Sequence, residues 1–137
     1  MGARTKHRGP GFLDIPMGKL SETLLDFGKP LLDRVEDEGP TLDLMRNTLM
    51  IIIAVWNAHV MAMPVWGKPE HLANLRALPF GLLPDGTNPI DALAERRSAL
   101  FASDPRLVGD WSIDDDGRGG HRFRCDTLVP RHLVQNA

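Results

Sequence analysis

The hydrophobic positions of the chain change period once, from about 3.6 residues to 2, which divides it into a helical body and a strand-forming end. Within Thr41 to Met63, TLDLMRNTLMIIIAVWNAHVMAM, the residues Met45, Leu49, Ile52, Ile53, Trp56, Val60 and Met63 recur at helical spacing. The run Leu49 to Trp56 is apolar on every side, a pattern that suits a buried helix. The stretch therefore predicts a central helix, capped by Thr41 and stopped near Met63 by Pro64. From Leu49 to Trp66 only Asn57 and His59 interrupt it strongly, so it approaches the length of a membrane span. The early stop at Pro64, the polar pair Arg46-Asn47 before the run and the capped segments that could cover it favour a helix buried in a soluble domain.

Shorter segments supply that cover. Leu20, Leu24, Phe27, Leu31 and Val35 keep one apolar stripe behind a Ser21 cap, with Leu20 and Leu25 placed as a hydrophobic staple. Gly28 and Pro30 predict a break in this helix near Lys29. A third helix follows Pro69, with Leu72, Leu75 and Leu78 on its buried side. A fourth follows Asn88 and Pro89, with Ile90, Leu93, Ala94, Leu100 and Phe101 inside and Glu95, Arg96 and Arg97 mostly outside. Beyond Pro105, Trp111 and Ile113 alternate with Asp110, Ser112 and Asp114. His121, Phe123, Cys125 and Thr127 then alternate with Arg122, Arg124 and Asp126, and Asp115 to Gly120 form the reversal. The expected fold class is α+β: about four helices around one buried central helix, followed by a C-terminal β-hairpin. Residues 1–15 read as a flexible basic arm, 16–130 as a single domain and 131–137 as a frayed tail, with Met17 as an alternative start.

Composition narrows the function classes. A chain of 137 residues with 42% apolar positions can bury one core without staples. Its net charge of -2 gives no general attraction to nucleic acid or to an anionic membrane. The single cysteine, Cys125, excludes an internal disulfide and, with no signal-peptide pattern, points to the cytoplasm.

Candidate chemistry is sparse. Asp114-Asp115-Asp116 before Gly117 suggests a calcium loop, but the position that needs a bidentate acid is Phe123. His121, Cys125 and His132 are too spread along the chain for zinc, and neither CxxC nor HExxH occurs. No metal and no cofactor is expected. Asn57 and His59 are the polar groups of the apolar helix, yet two positions on a helix differ by about 200°, so they cannot share a site. Asn57 is expected to satisfy a backbone group of a neighbouring loop, near Phe80. His59, helped by His71, is the candidate for acid-base catalysis, although its place on the stripe with Trp56 and Met63 suits a packed histidine better. Nucleic-acid binding would rest on the arm and on Arg96, Arg97, Arg122 and Arg124, which neighbouring acids offset.

By elimination, the expected function is protein interaction, as a small accessory or regulatory subunit. Met61, Met63, Trp66, Phe80 and Leu82 are the expected partner-binding residues, because proline and glycine keep their backbone irregular and their side chains apolar. A symmetric homodimer is the default assembly. The alternative is a small enzyme that uses His59.

Overall fold

The computed structural model describes residues 19–39, 41–75, 83 and 85–130. The expected arm and tail lie outside these, as do Phe80 and Leu82. In chain order the elements are α1 (Leu20–Phe27), α2 (Lys29–Asp37), α3 (Leu42–Met61), α4 (Glu70–Leu75), α5 (Pro89–Leu100), β1 (Leu107–Asp115) and β2 (His121–Leu128). The fold is α+β, with helices grouped around α3 and an antiparallel hairpin at the end.

The first amphipathic stripe is two helices that break at Gly28, with Pro30 in the first turn of α2. The break is also where α3 comes closest. A Cβ built on Gly28 would stand 2.9 Å from Cγ1 of Ile52, and Ile52 itself has no exposed surface. The start of α1 differs from expectation: Lys19 rather than Ser21 is the N-cap, and its side chain makes no capping bond. Leu20 must already be helical to reach the core beside Leu24 and Phe27, where it is 2% exposed. Leu25 is 40% exposed, so no staple joins it to Leu20.

α3 begins as expected, with Thr41 Oγ1 accepting from the amide of Leu44 at 3.1 Å. Leu49, Ile52, Val55, Trp56 and Val60 are completely buried along it. Phe27, Trp56 and Phe101 meet edge to face, with ring centres 5.1 to 5.9 Å apart, a geometry that suits the ring quadrupoles. The apolar run is nevertheless not enclosed on every side. Met50 is 54% exposed, and Asp43, Arg46, Asn47 and Ala54 share its open strip. By length and composition α3 could cross a membrane, with a mean hydropathy of 1.2 in its best window. Here α1, α2, α4, α5 and β1 all pack on it, which is the position of a core helix and is consistent with a soluble protein.

α5 is capped by Asn88, whose Oδ1 accepts from the amide of Ile90 at 2.8 Å. Its inner face is Ile90, Leu93, Arg97 and Phe101, and Leu100 is 61% exposed. This corrects the expected placement of Arg97 and Leu100. Steps of three, four and four residues carry the inner stripe through Arg97, whatever its charge.

β1 and β2 pair with Asp115 opposite His121, Ile113 opposite Phe123 and Trp111 opposite Cys125, and a bulge between Val108 and Trp111 shifts the register. Ile113 is buried against the helices, while Trp111 and Phe123 pack edge to face at 6.1 Å on the core side.

The Gly28 contact gives a stability prediction. Gly28→Ala should destabilise the fold by about 1–3 kcal/mol in urea unfolding, since the added methyl meets the side chain of Ile52, which is itself fully buried. An unchanged or raised midpoint, the usual response to a tolerated glycine replacement, would mean that Ile52 does not lie against this glycine.

Candidate functional site

Between α5 and β1 the chain runs through the interior. Asp104, Pro105, Arg106, Leu107 and Val108 are all buried, yet the segment joins no helix, and only its end enters the sheet. Buried carbonyls need donors, and here side chains supply them. Arg97 donates to the carbonyl of Asp104 at 2.6 Å, Trp66 Nε1 to that of Pro105 at 2.8 Å and Trp56 Nε1 to that of Arg106 at 2.7 Å. Asn57 then closes the series with two bonds: Nδ2 donates to Val108 O at 3.1 Å, and Oδ1 accepts from Val108 N at 2.8 Å. Asn57 thus holds a neighbouring backbone as expected, that of Val108 at the start of β1; Phe80, where that partner was expected, lies outside the described residues.

Charge is built into the same place. Arg106 donates to the Asp104 carboxylate through Nε at 3.0 Å and Nη2 at 2.8 Å, and Nη2 also reaches Thr23 Oγ1 on α1 at 3.1 Å. Arg97 stacks on the Trp56 ring, its guanidinium carbon 4.4 Å from the centroid, and Nη2 contacts Met63 Sδ at 3.2 Å. Nη1 of Arg97 is buried and has no hydrogen-bond partner among the described residues. Burial pushes the Arg97 guanidinium down to about 10, and the nearby Asp104 carboxylate opposes the shift. A cation lowered on folding costs stability at every pH below its folded value, so Arg97 is a cost that its packing and its bond to Asp104 offset. Arg96 serves α1 instead, donating to the carbonyls of Phe27 at 3.1 Å and Asp26 at 2.7 Å at a helix end where a cation is favoured. Two of the four arginines considered for nucleic acid are therefore engaged inside the fold.

The catalytic candidates lie on two helices that pack on each other, α3 and α4. His59 is half-buried near the end of α3 and His71 is exposed on α4. His59 lines neither the groove between α1 and the hairpin nor the smaller cavity near the hairpin tip. Among the described residues no group of three or more His, Cys, Asp or Glu could hold a metal ion. At the hairpin tip, Asp116 Oδ1 accepts from the amides of Arg118 at 2.7 Å and Gly120 at 3.0 Å, and Asp115 Oδ1 from Gly117 at 2.8 Å. Those carboxylates shape the turn.

Of the expected partner-binding residues, Met61, Met63 and Trp66 are half-buried where the chain leaves α3. Tight turns fix them: the amides of Trp66 and Gly67 donate to Met63 O at 2.9 and 2.8 Å, and that of Lys68 to Met61 O at 2.7 Å. Phe80 and Leu82 lie outside the described residues.

Sequence reasoning did not foresee a groove beside the hairpin. A groove of about 770 Å³ lies between the start of α1 (Lys19, Leu20, Ser21) and the hairpin, and includes every residue from Arg122 to Thr127. A smaller cavity of about 300 Å³ opens nearer the hairpin tip, among Leu25, Leu32, Met45 and Phe123. In the groove, burial pushes the Cys125 thiol up and Asp126 adds to the effect, so the protonated form, a poor nucleophile, is favoured at neutral pH. The alternation of Trp111, Phe123 and Cys125 with Arg122 and Arg124 is the signal that could have located this groove. No family model, curated protein or solved structure matches the chain.

Asn57→Ala should cost about 2–4 kcal/mol in urea unfolding, because both buried backbone groups of Val108 lose their partner. A cost below about 0.5 kcal/mol, the range of an ordinary surface substitution, would show that β1 is held by other means.

Proposed function

We propose that the chain is a small soluble protein-interaction domain, an accessory or regulatory subunit of the cytoplasm, that binds another protein or a second copy of itself through the exit of α3. The observation that carries this reading is the rigid presentation of apolar side chains there. Met61, Met63 and Trp66 are half-buried, and Trp66 is fixed by its bond to Pro105 at 2.8 Å. An aromatic ring already held in place loses little freedom when a partner covers it, and tryptophan is enriched among residues that dominate binding energy. Phe80 and Leu82, which lie outside the described residues, are assigned to the same surface by residue type alone. The free Cys125 suits a reducing compartment.

Met61→Glu tests the surface with the least damage to the interior, since Met63 contacts Arg97 and Trp66 bonds to Pro105. Wild type is expected to run as a dimer by size exclusion with light scattering at about 100 μM, a concentration far above micromolar affinity. Met61→Glu is expected to be monomeric with nearly unchanged melting. A monomeric wild type overturns the homodimer, and a variant that loses folding rather than association assigns Met61 to the core.

A further inference from the structure

We propose that the outer edge of β2 takes up a third strand, an extended segment of a partner protein in which apolar and acidic side chains alternate. The pairing phase of the hairpin comes first. Asp116 N donates to Gly120 O at 3.1 Å, so in the register of Asp115 with His121 and Ile113 with Phe123 the even-numbered residues near the tip direct their amides and carbonyls across the hairpin. Those of His121, Phe123 and Cys125 then point away from β1. The same phase holds beyond the bulge, where Val108 turns its amide and carbonyl to Asn57 instead of β2. β1 is closed there by Asn57. Among the described residues β1 is the sole strand hydrogen-bonded to β2, and an unpaired edge is a template for another chain.

The groove fits that template. Its lining takes six consecutive residues of β2, Arg122 to Thr127, together with Asp110, Trp111 and Ser112 of β1, and the N-cap Lys19 and the first residues of α1, Leu20 and Ser21, face them. A helix beside a free strand edge is a recurrent seat for an added strand, in which backbone bonds give affinity and alternate side chains give specificity. The pleat sets the ligand chemistry. Residues of the added strand on the core side meet Trp111, Phe123 and Cys125 and must be apolar, while those on the outer side meet Arg122 and Arg124. Arg124 pairs with Asp114 at 3.6 Å, with the two side chains 66% and 56% exposed; so weak a pair yields readily to a partner's acid. Lys19 adds a cation on the opposite wall, while Asp110 and Asp126 confine the acidic positions to the stretch beside Arg122 and Arg124. The inference shares with the proposed function only the class of partner, a polypeptide; its surface is different.

Titrating the full chain with the blocked peptide Val-Glu-Val-Glu-Val-Glu-Val, followed by tryptophan fluorescence and calorimetry, tests the proposal. Saturable binding is expected, with a Val-Lys peptide of the same length and a Val-Glu peptide N-methylated at alternate residues each at least about tenfold weaker, the loss of about 1.4 kcal/mol. Arg122→Glu with Arg124→Glu should reverse the preference toward the Val-Lys peptide, and Met61→Glu should bind like wild type. Absence of saturation by the Val-Glu peptide overturns the proposal. Equal binding of the N-methylated peptide also overturns it, because the contact would then be one of charge alone. Loss of binding in Met61→Glu would transfer the peptide to the exit of α3.

Discussion

The fold depends on how five consecutive buried residues, Asp104 to Val108, have their backbone satisfied. Asp104, Pro105 and Arg106 cross the interior outside helix and sheet and have no regular ladder for their carbonyls. Val108 turns its amide and carbonyl away from β2, and an unpaired buried carbonyl costs about 1–3 kcal/mol. Four side chains from three places answer that need: Arg97 from α5, Trp66 from the exit of α3, and Trp56 and Asn57 from α3 itself. Each is also placed by its own packing. Trp56 lies in the aromatic cluster with Phe27 and Phe101, and Arg97 stacks on Trp56. The same contacts therefore hold the helices together and fix where the hairpin begins.

That arrangement ties the two proposed surfaces to one rigid segment. The exit of α3 is anchored at Pro105 through Trp66, and the hairpin is anchored at Val108 through Asn57, three residues further on. The cations divide in the same sense. Arg96, Arg97 and Arg106 are engaged with backbone, with an aromatic ring or with Asp104, whereas Arg122 and Arg124 lie exposed on the hairpin. Charge that organises the interior is thus separated from the exposed charge of the hairpin, where Arg124 pairs with Asp114 at 3.6 Å.

Local signals were legible in the sequence. The caps at Thr41 and Asn88, the break at Gly28 and the hairpin follow from residues within a few positions of one another, and the structure has all of them. Non-local partners were not. The need of Asn57 for a backbone group could be read, but its partner lies 51 residues away, and that of Trp66 lies 39 away, distances over which spacing carries no information. Arg97 was misplaced because its charge outweighed its position, although the steps from Ile90 through Leu93 to Phe101 run through it. Met50 was misplaced for the converse reason: an apolar side chain says little about whether neighbours suffice to cover it. The groove beside β2 required the placement of α1 next to the hairpin, which no local pattern carries.

Amide hydrogen exchange at Val108 measures the central constraint directly, because its N–H donates to a side chain, Asn57 Oδ1, and not to a strand. If this bond belongs to the core, Val108 should exchange only on global unfolding, at the rate of the Ile52 and Ile53 amides inside α3. Exchange as fast as that of Gly117 and Arg118 at the hairpin tip would contradict the account.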